Sequence, residues 1–357
     1  MKISALQENI KRGISIVGHA SGKNPNLPIL SNILFDVKDG EIKLIATNLE
    51  IGIVNKVRGK IDQDGSIAVD AKMILDYISL LPNQKVNIET KDNNLLIESE
   101  NYKTKIIGKN ADDFPLIPKV DQEKNFSATI NDFKKALSSI IFATSTSETR
   151  LELTGVFFEF SEKELIMAAT DSFRLSEKKI VIIKHFKNNE EDDSNNKMKL
   201  IIPSKTLQEL SRVLSVISES ELNDEDDGRI NFYISDNQVL FKFLNTELVS
   251  RLIDGQFPDY TQIIPVKSTT QILINKNNLI RAIKSSAIFT KTGANDINLD
   301  FIKADNKTII SASSGAVGEN IVEIETVIDG EDNKVIVNYK YLLDQIKRLI
   351  ICMLLCQ

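Results

Sequence analysis

Gly40-Glu41-Ile42-Lys43-Leu44-Ile45-Ala46-Thr47-Asn48 returns later in the chain as Glu164-Leu165-Ile166-Met167-Ala168-Ala169-Thr170-Asp171. A looser copy follows as Lys307-Thr308-Ile309-Ile310-Ser311-Ala312-Ser313-Ser314. Ala169 lies 123 residues after Ala46, and Ala312 lies 143 after Ala169, a domain-sized period rather than that of a solenoid. A chain built from three copies of one domain uses them for geometry rather than for three separate chemistries.

Working outward from that strand, each copy opens with an amphipathic helix. Leu6, Ile10, Ile14 and Val17 fall on one face of the first, with Lys11, Arg12 and Ser15 elsewhere. The second carries Phe133, Leu137, Ile140 and Ile141, with Asn131 or Asp132 as the expected cap and Lys134 and Lys135 off the stripe. The third carries Leu279, Ile283 and Ala287, with Arg281 and Lys284 away from it. Strands are predicted at 33–37, 156–160 and 299–302, each leading by a turn such as Asp39-Gly40 into the repeated strand. The second half of a copy repeats the scheme: a strand, a helix such as that with Ile74, Tyr77, Ile78 and Leu81, then more strands. The expectation is an α+β architecture of three similar domains, at 1–120, 127–252 and 253–357, with helices on one face of antiparallel sheets.

Composition sets the other bounds. At 357 residues and 42% hydrophobic content the chain can bury two or three ordinary cores. No apolar run reaches the length of a membrane span and no secretory pattern opens the chain, so a cytoplasmic address without membrane association is expected. The two cysteines, Cys352 and Cys356, crowd the last six residues and make no disulfide framework. A formal net charge of −6 argues against ordinary nucleic-acid binding unless the cations are segregated.

A search for reaction chemistry nominates no catalytic residue, no metal site and no cofactor. Asn223, Glu225, Asp227 and Gly228 start like a calcium loop, but its twelfth position falls on Ile234, where a bidentate Glu is required. The segments 187–197 and 221–228 read as polar surface loops. His19 and His185 sit apart from any Cys or carboxylate cluster and read as helix-end or loop residues. Gly-rich phosphate loop, nucleophile elbow and dinucleotide fingerprint are all missing from the sequence.

Three stretches, in order and in different copies, carry a resemblance. They are Asn26-Leu27-Pro28-Ile29-Leu30-Ser31-Asn32-Ile33-Leu34, Ala169-Thr170-Asp171-Ser172-Phe173-Arg174-Leu175 and Leu252-Ile253-Asp254-Gly255-Gln256-Phe257-Pro258-Asp259-Tyr260. On these the chain resembles the β subunit of bacterial DNA polymerase III, the processivity sliding clamp, from Met1 to about Leu343. The resemblance implies a non-enzymatic subunit that forms a head-to-tail homodimeric ring around duplex DNA and tethers the polymerase for processive replication. The helices would line the hole, which answers the charge objection. The DNA-binding candidates are then Lys11, Arg12, Lys23, Asn24, Lys72, Lys134, Lys135, Lys205, Arg212, Arg281 and Lys284. Such contacts to phosphate carry no sequence information and weaken with salt, as sliding requires.

The same resemblance implies docking of the polymerase α subunit and the clamp loader through short peptides. The matching positions are Leu153, Thr170, Ser172, Phe173, Arg174, Leu175, Pro258, Gln262 and Ile263, with Gln262 standing where many family members carry a basic residue. Leu or Phe anchors at about 1.5–3 kcal/mol each would give affinities on the order of micromolar after ordering costs. For the ring seam the resemblance pairs 103–107 of one subunit with 316–325 of the other. Lys103 and Lys105 would meet Glu319 and Glu323, and Ile106 would pack near Ile288 and Phe289. Two other classes stay open on the residues alone. One is a repeat-built protein-interaction scaffold without DNA encirclement, the other a hydrolase with an unrecognised site.

The third copy departs from the internal ruler. Phe114 closes the first copy 47 residues after Ile67, whereas Gln357 comes only 22 after Val335. The run Leu349-Ile350-Ile351-Cys352-Met353-Leu354-Leu355-Cys356-Gln357 shows no strand alternation, and a lipid anchor lacks its C-terminal pattern. A truncated or frameshifted third domain is expected, about three strands short, with low stability and impaired peptide binding.

Overall fold

The structure is a computed structural model that describes all residues except 23, 123, 186–196, 218–227, 266, 292, 349–351 and 357. One order of elements runs along the chain in three series, of eleven, eleven and, among the described residues, nine elements. The first series is β1 (Lys2–Leu6), α1 (Gln7–Gly18), β2 (Asn32–Lys38), β3 (Glu41–Thr47), β4 (Ile51–Val57), β5 (Lys60–Gln63), β6 (Gly65–Asp70), α2 (Ala71–Leu80), β7 (Lys85–Lys91), β8 (Asn94–Ser99) and β9 (Tyr102–Ile107). The second is β10 (Asn125–Thr129), α3 (Ile130–Ile140), β11 (Gly155–Phe160), β12 (Glu164–Thr170), β13 (Leu175–Val181), β14 (Ile183–Lys184), β15 (Met198–Pro203), α4 (Ser204–Val216), β16 (Arg229–Ile234), β17 (Gln238–Phe243) and β18 (Thr246–Arg251). The third is β19 (Thr270–Ile274), α5 (Lys276–Ala287), β20 (Asp296–Ile302), β21 (Lys307–Ser314), β22 (Gly318–Glu325), β23 (Val327–Gly330), β24 (Asn333–Asn338), α6 (Tyr339–Ile346) and β25 (Cys352–Cys356).

Every series makes two antiparallel sheets beneath a pair of helices. In the third these are β22-β21-β20-β24 and β23-β19-β25. The second series makes β13-β12-β11-β15 and the strip β14-β10-β16-β17-β18, and the first makes β5-β1-β7-β8-β9 and the strip β6-β2-β3-β4. The two strips are one sheet. β18 pairs antiparallel with β4, from Thr246 opposite Asn55 to Ser250 opposite Ile51, giving nine continuous strands.

Thr246 and Asn55 are both buried at that seam, and Asn55 Nδ2 donates to Thr246 Oγ1 at 2.9 Å. A buried amide at a seam needs such a partner, since leaving it bare costs about 1–3 kcal/mol. Apolar contact also crosses the seam, and one core cluster extends from Met1 to Leu248. The first two series accordingly form one compact unit, Met1–Gln256, and the third forms another, Phe257–Gln357, around its own core of Ile272, Leu279, Ile283, Leu299, Phe301 and neighbours.

The helices form for the reasons their spacing gives. Ile10, Ile14 and Val17 are buried under α1, Phe133, Leu137 and Ile140 under α3, Leu279 and Ile283 under α5. Leu6 falls outside the stripe, as the residue preceding α1, and stays half exposed. The cap of α3 is Thr129 rather than Asn131 or Asp132, since its hydroxyl accepts from Asp132 N at 3.1 Å and donates to the Asp132 carboxylate at 2.7 Å. Under α3, Phe133 meets Phe232 edge to face, with centroids 5.0 Å apart, amid Phe126, Phe158, Phe160 and Phe241.

The terminal run differs from its expectation. Cys352–Cys356 is a strand, β25, laid antiparallel on β19 from Ile274 opposite Cys352 to Thr270 opposite Cys356. It occupies the place of β7 and β16, so backbone pairing prevails where side-chain alternation is absent. The residues 349–351 and 357 of that run lie outside the described residues, as do most of the predicted loops at 187–197 and 221–228, with Asn223, Glu225 and Asp227.

Candidate nucleic-acid interface and docking loop

Burying one stripe of each helix obliges the remaining face to point away from its sheet. Lys11 on α1, Lys72 on α2, Lys135 on α3, Lys205 and Arg212 on α4, and Arg281 and Lys284 on α5 are exposed. Arg12 and Lys134 are half-buried, and burial lowers the Arg12 guanidinium pKa from its ordinary value. Asn24 accepts from Asn26 N at 2.9 Å in the loop after α1, whereas Lys23 lies outside the described residues. The helices pack in pairs, α1 on α2, α3 on α4 and α5 on α6. Within the first unit α1 also meets α4, where His19 Nδ1 lies 3.6 Å from Glu209 Oε2. Glu209 in turn holds Arg212 at 2.6 Å. Neither acid nor histidine carries a local sequence signal for this pairing. His185 instead places Nε2 2.7 Å from Ser127 Oγ at the β10–β14 edge.

The loop between β12 and β13 is held from inside. Thr170 Oγ1 donates to Arg174 O at 2.7 Å and accepts from Ser172 N at 3.1 Å. Asp171 Oδ1 accepts from Phe173 N and Arg174 N, each at 3.0 Å, while Oδ2 accepts from Arg174 Nε at 3.0 Å. Arg174 also donates to Phe142 O at 2.6 Å and lies 5.2 Å from the Phe142 ring centroid. The result presents Phe173, 80% exposed, beside half-buried Leu175, with Leu153 buried beneath the preceding short turn. Asp171 and Phe142 were not among the sequence candidates. An acid two residues ahead of a backbone N–H is nonetheless a readable turn signal.

In the second unit, Phe257 stacks edge to face on Tyr260 at 6.2 Å. Asp259 accepts from Thr261 N, Thr261 Oγ1 and Gln262 Nε2, the last at 2.8 Å. Gln262 and Ile263 are exposed there and Pro258 is half-buried.

The candidate seam strands both lie at sheet edges, β9 in the first unit and β22 in the second. One candidate is corrected. Ile106 is 4% exposed and belongs to the core, so Ile107, 81% exposed, is the isoleucine that this edge presents. Lys105 is exposed; Lys103 meets Glu98 at 3.1 Å and Glu323 meets Lys307 at 3.0 Å. Ile288 is exposed, Phe289 half-buried and Glu319 exposed. Among the described residues no group of three or more His, Cys, Asp or Glu side chains is placed to hold a metal ion, and no helix is long and apolar enough to cross a membrane.

One module written three times, two copies fused edge to edge, and cations on the outward helix faces define the DNA sliding-clamp class. Comparison with known proteins is specific. Models of the DNA polymerase III β subunit match here in order, the N-terminal domain over 1–118, the central domain over 128–259 and the C-terminal domain over 261–351. The β sliding clamp of Staphylococcus aureus is 31% identical over 333 residues, covering 90% of this chain and 83% of that protein. The sliding clamp of Bacillus subtilis superposes with a TM-score of 0.86 at 28% identity, covering 99% of this chain and 91% of the other. The β subunit of Thermotoga maritima does so at 0.86 and 25%, covering 98% and 90%. The chain belongs to the DNA polymerase III β-subunit family. That family is a non-catalytic processivity factor for DNA replication, which implies DNA and polymerase as partners.

Proposed function

We propose that two copies of this chain close head to tail around duplex DNA in the cytoplasm and tether the DNA polymerase III α subunit to its template. In this reading the three repeats act as three clamp domains, and Lys11, Arg12, Lys23, Asn24, Lys72, Lys134, Lys135, Lys205, Arg212, Arg281 and Lys284 face phosphates. The observation that carries it is a bias of charge: α1 to α5 hold ten Lys and Arg against four acids, Glu8, Asp76, Asp132 and Glu209. A chain of net −6 keeps exposed cations on five of its helices, each opposite that helix's buried stripe. Phosphate neutralisation by such cations is independent of sequence and weakened by salt, which holds DNA without arresting sliding.

The loop 170–175 with Leu153, and Pro258, Gln262 and Ile263, take Leu- or Phe-anchored peptides of the α subunit and of the clamp loader. The β4–β18 seam supports the ring closure. Counted by place in the repeat, β22 corresponds to β4 and β9 to β18, so β22 joined to β9 of a second copy reuses a junction this chain already makes. Lys103, Lys105 and Ile107 then approach Glu319, Glu323, Ile288 and Phe289.

The test is retention on DNA. Loaded by an ATP-driven clamp loader, labelled protein is expected to stay on nicked circular plasmid through gel filtration and to leave once the plasmid is linearised. Equal behaviour on circular and linear DNA overturns the reading, and a scaffold without DNA gives no retention on either.

A further inference from the structure

We propose that Glu209 is a positioning residue that lightens the hold on DNA by competing with the phosphates for Arg212. The inference rests on the DNA-encircling reading above and deepens it. Glu209 lies on α4 between two partners of different kinds. One carboxylate oxygen binds the Arg212 guanidinium at 2.6 Å, one turn further along the same helix. The other, Oε2, is buried without a hydrogen bond and faces His19 Nδ1, at the end of α1, from 3.6 Å. The carboxylate side chain is 19% exposed whereas that of Arg212 is 58% exposed. The acid is therefore fixed between the helices of two copies, and the cation is free to turn toward solvent or a ligand.

Stability alone gives this arrangement no reason. An exposed ion pair three residues apart on a helix contributes about 0–1 kcal/mol. A carboxylate oxygen sunk between helices, with no hydrogen bond and His19 Nδ1 no nearer than 3.6 Å, costs about as much or more, since charge leaves water for little return. A glutamate on a helix directed at DNA further repels phosphate. Its effect is instead on Arg212. Guanidinium binds carboxylate and phosphate through the same planar fork, so the two compete for one cation. While Glu209 holds it, α4 offers DNA the charge of Lys205 with that of Arg212 offset, and phosphate gains Arg212 only by displacing the carboxylate. A ring that cannot leave DNA sideways loses nothing by this and slides more freely.

The experiment is an anisotropy titration of a fluorescent linear duplex with full-length wild type, Glu209→Gln, Arg212→Ala and the double variant, at several salt concentrations. Glu209→Gln keeps the shape of the side chain and removes its charge. It is expected to bind more tightly and to steepen the salt dependence by about one phosphate contact. That makes its advantage over wild type about three- to fourfold larger at about 50 mM than at about 200 mM salt. In the Arg212→Ala background the same change is expected to relieve only the repulsion, a smaller gain with the salt slope left unsteepened, a coupling that loss of packing would not produce. The proposal is overturned if Glu209→Gln coincides with a salt-sensitive wild type, or if its full gain and steeper slope persist without Arg212. A wild type that binds duplex without salt dependence would instead overturn the DNA-encircling reading itself.

Discussion

Leu49 and Ser172 share a backbone φ of +76°, at the same step of two copies of one loop. Around them the hydrogen bonds of the Thr and Asx side chains to the loop backbone are duplicated. Thr47 Oγ1 donates to Ile51 O at 2.8 Å as Thr170 Oγ1 donates to Arg174 O at 2.7 Å. Asn48 Oδ1 accepts from Glu50 N and Ile51 N as Asp171 Oδ1 accepts from Phe173 N and Arg174 N. A left-handed non-glycine residue persists only where its surroundings over-determine it, and here a Thr and an Asx side chain do so twice. The second oxygen of the Asx residue separates the copies. Asp171 has a second oxygen on Arg174 Nε at 3.0 Å, which orders the exposed side of the loop.

That difference separates two variants. Asp171→Asn is expected to keep the backbone cage, as Asn48 does, and to lose only the contact to Arg174. Asp171→Ala loses both, leaving the Phe173 and Arg174 N–H groups to water at about 0.5–1.5 kcal/mol each and Ser172 without its cage. Calorimetric titration with a short peptide bearing adjacent Leu and Phe anchors is expected to show the larger loss of affinity for Ala, on the order of tenfold or more beyond Asn. Equal losses would place the ion pair with Arg174, not the cage, in control of the loop.

Gly13 marks where α1 comes closest to its sheet. A Cβ there would lie 2.7 Å from Val57 Cγ2, 2.9 Å from Leu44 Cδ1 and 3.0 Å from Asn55 Oδ1. Asn55 is the residue bonded to Thr246 across the seam, so pressure on it reaches both copies. Gly13→Ala gains about 1 kcal/mol of helix propensity and meets about 1–3 kcal/mol of overpacking. The expected net is a destabilisation of about 1 kcal/mol, read as a lower urea midpoint. A raised midpoint would show that the sheet yields at no cost.

The repeat was legible because it is written in side chains. Ala46, Ala169 and Ala312 fall in β3, β12 and β21, the same strand of each series. The helix stripes were legible for the same reason, being set by apolar spacing. What stayed hidden depends on phase or on distance. Ile106 and Ile107 are adjacent, and a period of two does not say which faces the core when both are apolar. Thr129, Asn131 and Asp132 are all competent caps, and only backbone geometry selects Thr129. The strand β25 lacks alternation altogether and is recognised by its pairing with β19. The β4–β18 seam and the contact of His19 with Glu209 join residues far apart in sequence, for which no local pattern exists.

Acid should act on a charge cluster over β3 and β4. Lys43 at 2.7 Å and Lys56 at 2.5 Å hold the Glu41 carboxyl at about 2, down from 4.5. A carboxyl whose pKa is lower folded than unfolded contributes stability above the unfolded value, and that contribution is lost as pH falls through the folded one. The difference in urea midpoint between wild type and Glu41→Gln is therefore expected to be constant above about pH 5 and to shrink between about pH 4.5 and 2. The group is exposed, so the difference is small and screened by salt. A difference that grows on acidification would reverse the sign and refute the pairing.

Lys135 and Lys205 provide the most direct measure of the helix faces, since both are exposed and belong to the paired helices α3 and α4. Each of Lys135→Ala and Lys205→Ala is expected to weaken duplex binding equally for unrelated DNA sequences and to flatten the salt dependence by about 0.9 in the logarithmic slope. Melting temperature should hardly move, because neither aliphatic stem fills the core. Lys105→Ala, on the β9 edge strand, serves as the contrast: it should leave the slope alone and instead raise the concentration at which the dimer dissociates, measured by analytical ultracentrifugation. If Lys105→Ala flattens the slope as much as Lys135→Ala does, the cations act only through net charge. The helix faces then have no special relation to DNA, because a long-range field is shared by every exposed lysine whereas a phosphate contact belongs to one.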